Sequence, residues 1–401
     1  MRRLLVIAAC AVVAMASLPP GEAATRSCPR PGMHAAEKHA SQDGHRRECG
    51  LELIGSIEVS KTGGLGQIER YGDLIAVLQR DEGIVALVNV RDRRRARVVG
   101  RYDDGAQDSL DGDLVFSDDG RWLFYARQTV QFSRDGIHVL DVSDPKEPRL
   151  ASYHPGGGSF RVAYHRSADA EYVAVLDAID GLVIYRFIRE AGALTRVFQD
   201  ALPALKVGGP SSAGLFIDPK DPKTGAPLMY VATGRTGLQI YDISTPEAPE
   251  IAGTWNEIGL SDVEVRATKR GRTVWGATEY WFDAGLKPEV VVLDATDLGA
   301  IKQTNRLSLG LPAEDTWRVQ GIARSRGSLV AAHSHAGVVV FRADGSVPAA
   351  ASSPFDHNAE AGAAGSVYAM DVESVGSWLF VTDASTGRLH FYEPPPIYIV
   401  D

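Results

Sequence analysis

Residues 136–153 read GIHVLDVSDPKEPRLASY, and residues 237–255 read GLQIYDISTPEAPEIAGTW. The shared phrase is a glycine, an alternating run of aliphatic and aromatic residues, an aspartate, and a turn closed by prolines. Alternation of this kind marks a half-buried strand. Aligned on the phrase, the chain offers GIVALVNV at 83, GIHVLDV at 136, GLVIYRF at 181, GLQIYDI at 237, EVVVLDA at 289, GVVVFRA at 337 and GRLHFYE at 387, spaced 45 to 56 residues apart. Repeats of roughly 40–50 residues, each holding several short strands, indicate a propeller.

Each unit divides in the same way. In the second, DLVFSDDGR is one strand and its turn, WLFYARQ the next, GIHVLDVS the third and PRLASY the fourth. Proline in DPKEP sits at a strand end, where its missing N–H costs the ladder nothing. The expected fold is all-β, a seven-bladed β-propeller with four antiparallel strands per blade. The last unit lacks an outer strand, and LELIGSIEV at 51–59 is the segment available to complete it and close the ring. The tail PPPIYIVD competes for that place or adds an edge strand. The propeller is assigned to residues 51–401.

The pattern G-[IL]-x-[VI]-[LY]-D-[VI]-S-x-P-x-x-P at 136–148 and 237–249 resembles the repeat of the LVIVD-repeat proteins, a group of exported bacterial propellers. The other copies keep the strand and lose the proline turn. The resemblance implies a secreted or surface propeller and supplies no catalytic residues.

At the N-terminus, Arg2 and Arg3 precede an apolar run from Leu4 to Leu18, with small residues at Ala23 and Ala24. This reads as a signal peptide over residues 1–24, which places the mature protein outside the cytoplasm, secreted or periplasmic. A lipoprotein is the rival reading, since Ile7-Ala8-Ala9-Cys10 superficially fits a lipobox, although the apolar run continues past Cys10. Residues 25–50 are polar, and Cys28 and Cys49 there form a disulfide in an oxidising compartment, contributing roughly 3 kcal/mol by loop closure. A Cys/His metal site with His34, His39 and His45 is the alternative. No further stretch has the length and apolarity of a transmembrane segment. The net charge of −9 argues against nucleic acid as a partner. The 41 glycines and 21 prolines argue for many turns and few long helices.

Two loop sets should share one face: those from an outer strand to the next inner strand, and those between second and third strands. Both are rich in acids, whereas RDRRRARVV, ATKRGR and ARSRGS on the opposite face are basic. Candidate ligand-binding residues on the acidic rim are Asp177, Asp180, Asp315, Trp317 and Asp383. Candidate metal ligands are His333, His335, Asp356 and His357, because histidines and carboxylates at a channel mouth suit a divalent ion. YDDGAQDSLDGD gathers Asp103, Asp104, Asp108, Asp111 and Asp113 on a glycine-flexed loop that suits calcium. A simple Asx-turn role competes with each aspartate of the 2–3 loops. Tyr280, Trp281 and Phe282 cluster in another loop, as aromatics at a carbohydrate or protein contact do.

No G-x-S-x-G, H-E-x-x-H or P-loop is present. The expected function is therefore an exported monomeric scaffold whose acidic face binds an envelope or extracellular protein, a glycan or a cation. The alternative is a metal-dependent hydrolase or lactonase-like enzyme with its site at the channel mouth near His333, His335 and Asp383; SDDGRWLFYA resembles the inner hairpin of lactonase-like bacterial propellers, in its turn only.

Overall fold

The computed structural model describes residues 52–92, 95–103, 105, 109–129, 135–202, 213–278, 289–308, 319–325, 328–333, 337–342, 348–352, 369–375 and 378–393. The signal peptide, the Cys28 and Cys49 pair and the tail at 394–401 lie outside these residues.

Seven four-stranded antiparallel sheets make up the fold. Strand β1 (Glu52–Glu58) precedes the first blade, which holds β2 (Leu65–Tyr71), β3 (Leu74–Gln79), β4 (Ile84–Asn89) and β5 (Arg97–Asp103). The second holds β6 (Ser109–Phe116), β7 (Trp122–Thr129), β8 (Gly136–Asp141) and β9 (Arg149–Pro155). The third holds β10 (Ser159–Arg166), β11 (Glu171–Asp177), β12 (Gly181–Ile188) and β13 (Ala193–Asp200). The fourth runs through β14 (Gly214–Asp218), β15 (Leu228–Ala232), β16 (Leu238–Asp242) and β17 (Glu250–Trp255). The fifth follows with β18 (Asp262–Thr268), β19 (Gly271–Ala277), β20 (Glu289–Asp294) and β21 (Lys302–Ser308). The sixth comprises β22 (Val319–Ser325), β23 (Ser328–His333), β24 (Gly337–Arg342) and β25 (Pro348–Ser352). Among the described residues the seventh has β26 (Ala369–Val375), β27 (Trp378–Asp383) and β28 (Arg388–Glu393) of its own. Its fourth strand is β1, which pairs antiparallel with β28 from Glu52↔Glu393 to Glu58↔Arg388. The first strand thus latches the last blade, as the sequence leads one to expect.

Every copy of the repeated phrase is the third strand of its blade, and each part of the phrase has a local cause. Its glycine takes a left-handed backbone: φ is +80° at Gly181 and +98° at Gly237, where an L side chain would be strained. Its aspartate turns back on the chain, with Asp141 Oδ1 accepting from Ser143 N at 3.0 Å and Asp242 Oδ1 from Ser244 N at 2.8 Å. Such Asx turns open the proline loop and end the strand.

Between those two points the side chains are buried on both faces, not one. In β7 all eight residues are buried, and in β3 Ala76 and Leu78 pack toward the second blade while Ile75 and Val77 pack toward the seventh. Successive side chains of a strand point to opposite faces. Here both faces meet a neighbouring blade, so the half-buried expectation is corrected for the middle strands. The core is accordingly seven apolar clusters, one at each seam between blades. A buried ion pair crosses one seam: Arg272 Nη2 donates to Asp221 Oδ1 at 2.6 Å, linking the fifth blade to the fourth.

Strand β6 begins at Ser109, four residues earlier than DLVFSDDGR suggests. The pairing shifts between Ser109 and Asp111, and similar bulges interrupt β2, β10, β22 and β26 near their starts. A bulge re-aims the side chains that follow it. It is these inner strands that line the centre.

Candidate functional site

Two of the rim candidates are turn caps. Asp177 ends β11 and is 2 % exposed. Its Oδ1 accepts from Ile179 N and Asp180 N, and its Oδ2 from Gly157 N and Ser159 Oγ, all at 2.9 Å. Asp383 ends β27 in the same topological position. It accepts from Ser385 N and Oγ, from the Thr386 hydroxyl, and lies 3.4 Å from His390 Nε2. Burial would raise its pKa, but hydrogen bonds from His390, Thr386 and Ser385 outweigh it and hold the carboxyl down at about 2. The competing Asx-turn reading accounts for both. Asp180 is half-buried on the rim, 3.3 Å from Gln199 Nε2.

His333 occupies the equivalent position in the sixth blade, facing Gly337 across its hairpin as Asp177 faces Gly181. It is fully buried. His335, Asp356, His357, Asp315 and Trp317 lie outside the described residues, as do Tyr280, Trp281 and Phe282. Among the described residues no group of three or more His, Cys, Asp or Glu side chains is placed to hold a metal ion. Of the expected calcium loop, Asp104 and Asp108 are not described, and Asp103 caps Gly105 N at 2.7 Å. Asp111 and Asp113 belong to β6, not to a loop: Asp113 lines the centre of the ring, and Asp111 is buried, 3.4 Å from Arg161 Nη1.

The sequence reading missed that centre. A cavity of about 370 Å³ runs between the inner strands, lined by Gln67 and Glu69 of β2, Asp113 of β6, Arg161 of β10, Asp262 and Glu264 of β18, and Asp371 and Glu373 of β26, among others. Three of the aspartates work as seam clamps. Asp113, Asp262 and Asp371 each accept from the next residue of their own strand through Oδ1, at 2.9, 2.8 and 2.8 Å. Through Oδ2 each accepts a backbone N–H of the following blade, from Val162, Ile322 and Ile68 respectively, at 3.0 Å. The third clamp joins the seventh blade to the first, inside the ring from the β1 latch. Gly321 makes room for it, since a Cβ there would lie 2.3 Å from Asp371 Oδ1.

Electrostatics in the cavity are unbalanced. Arg161 lies 3.4 Å from Asp111 Oδ2 and feels Asp113, Asp262 and Asp371 as well. Glu264 takes a hydrogen bond from Arg324 at 2.7 Å. Burial nevertheless dominates, pushing Asp113 and Asp262 up to about 6 and Glu264 and Glu373 up to about 7. Glu69 and Asp371 are raised well above the ordinary carboxylate range, first by burial; for Glu69 the charges of Glu373, Asp113 and Asp371 add to it, and for Asp371 those of Asp262 and Asp113. Desolvation disfavours the charged form of a carboxyl, and like charges compound it. Strongly perturbed carboxyls converging in a cavity are a functional-site signature. The signal available in the sequence was Asp-Val-Glu, written at 262–264 and again at 371–373 in corresponding inner strands.

The face opposite the rim is not simply basic. Arg166 and Arg189 pair there with Asp118, Asp119 and Glu171, drawn from the SDDGR turn and the start of β11.

No protein-family model and no curated protein matches the chain. Solved structures do match in shape. The crystal structure of Saccharomyces cerevisiae Sqt1 covers 86% of this chain and 100% of its own, with a TM-score of 0.59 and 11% identity. The β-propeller domain of Myceliophteria thermophila Cps50 (Swd1) covers 86% and 99%, with a TM-score of 0.55 and 14% identity. At such identities the likeness is one of fold, and the chain shares with both the architecture of a β-propeller.

Proposed function

We propose that the protein is an exported binding scaffold of the LVIVD-repeat type, which meets a protein, a glycan or a cation through its acidic loop face and performs no catalysis of its own. The observation that carries this reading is the sign of the exposed charge on that face. Asp81, Asp103 and Glu257 are exposed there and Glu82 and Asp180 partly so, against the exposed Lys61 and Arg235 and a partly exposed Arg80, which leaves acids in excess. The buried Asp177 and Asp383, by contrast, are committed to their turns, so recognition falls to the exposed acids. Clustered like charge steers a partner of opposite sign and is screened by salt.

The test joins localisation to charge. The full-length chain is expressed in a diderm bacterium and fractionated, and the mature protein is immobilised to capture envelope proteins and glycans. Processing near Ala23 or Ala24 is expected, as is capture that falls at least tenfold between 50 and 500 mM salt. A variant carrying Asp81→Lys, Glu82→Lys and Glu257→Lys should lose that capture while remaining folded. A cytoplasmic, unprocessed chain would refute export, and capture indifferent to both salt and charge reversal would refute the acidic face.

A further inference from the structure

The central cavity is distinct from the rim, and its composition points to a ligand of its own. We infer that the channel binds a small linear organic dication, a diamine whose two ammonium groups sit at two successive levels of carboxyl groups. The levels are set by the strands. Asp262 and Glu264, like Asp371 and Glu373, are two residues apart on one channel wall, and two residues of strand span about 7 Å. That is close to the reach of a four-carbon diamine.

The first level holds Asp113, Asp262 and Asp371 against Arg161, and the second holds Glu69, Glu264 and Glu373 against Arg324 and Arg70. Arg324 is in hydrogen-bond contact with Glu264, whereas Glu69 forms no ion pair among the described residues and has three acids as neighbours. Each level therefore carries excess acid. An independent observation comes from Gln67, on the same wall. It is only 7 % exposed, and its Oε1 accepts no hydrogen bond among the described residues. A buried amide oxygen without a donor costs about 1–3 kcal/mol. An ammonium group, which only donates, supplies what it lacks.

The size also fits, since about 370 Å³ lies in the range of small-molecule sites. A single calcium ion fits less well. It wants six to eight oxygens at about 2.3–2.6 Å, whereas these carboxylates are spread over four strands and the three aspartates already hold backbone N–H groups. Burial and mutual repulsion raise the pKa of Glu69 and Asp371 and push Glu264 and Glu373 up to about 7, so an arriving dication displaces protons to solvent.

The experiment is calorimetric titration of the mature protein with 1,4-diaminobutane, with butylamine and calcium chloride as comparators. One diamine should bind per chain, at least tenfold more tightly than butylamine. Its heat at pH 6.5 should vary with the ionisation enthalpy of the buffer, as proton release requires. Glu69→Gln with Glu373→Gln relieves repulsion, so this variant should keep its fold and lose at least tenfold in affinity. Gln67→Leu tests the same site without altering charge and should weaken binding several-fold. Absent diamine binding, binding no tighter than that of butylamine, full affinity in both variants, or saturable calcium uptake with a silent diamine would each overturn the inference. Loss of capture by the rim-reversed protein with diamine binding intact would separate the two sites.

Discussion

At the scale of the residue, the ring is held by polar groups whose partners lie one blade away. The clearest is Asp221, 1 % exposed, against Arg272, 3 % exposed. Removing one member of such a pair leaves the other charge buried and uncompensated. Asp221→Ala should therefore cost about 3–5 kcal/mol in urea unfolding, and a loss below about 1 kcal/mol would show that Arg272 finds water instead. Gly321→Ala should displace the Asp371 clamp and cost roughly 1–3 kcal/mol, measured in the same way. The same residues show what a sequence conceals. Asp177 and Asp383 looked like ligands because a turn cap and a rim ligand have the same composition; only the four hydrogen bonds to Asp177 tell them apart. Asp262 and Glu264 drew no notice in the sequence. Charged residues at alternate strand positions ordinarily face water, and nothing within one blade says that corresponding walls will meet around a central channel.

At the scale of the element, the third strands were the most legible. Glycine at a left-handed φ, an alternating apolar run, and an Asx turn recur for reasons local to each blade, whereas burial of that run on both faces comes from the neighbouring blades. The bulges were not legible, because no residue type marks them: the shift falls at Leu110, Phe160, Gln320 and Met370 alike. The latch was legible from an incomplete last unit. Its function is to cover the ladder of β28, an edge that would otherwise template pairing with other chains. Ile57 pairs with Leu389 and packs at the seam of the seventh and first blades. Ile57→Pro removes a donor and blocks the pairing, so a lower melting temperature and concentration-dependent light scattering should appear together. A variant that melts early yet stays monodisperse would show that β28 is protected by something other than β1.

At the scale of the whole molecule, the channel makes stability depend on pH in an unusual direction. Carboxyls pushed up to about 6 at Asp113 and Asp262, and to about 7 at Glu264 and Glu373, bind protons in the folded ring that the unfolded chain has already released. Their contribution is fully present below about pH 4, the unfolded value, and is lost as pH rises through 6 to 7. Asp383, held at about 2, acts oppositely: its contribution is present above about pH 4 and lost as pH falls toward 2. Melting temperature should thus rise on acidification from pH 8 to about 5, then fall at lower pH. Glu264→Gln with Glu373→Gln should flatten the rise; a rise of undiminished size would place its origin elsewhere. The latch has a mechanical consequence as well. Glu52 and Glu393 face each other at the same end of the β1–β28 ladder. A load drawn through the two chain ends therefore acts across a single rung at a time. The pair unzips, where strands pulled from opposite ends would resist in shear. A ring closed in this way yields most easily along the two strand ends that leave the latch, and a machine that pulls on either one begins at the seam.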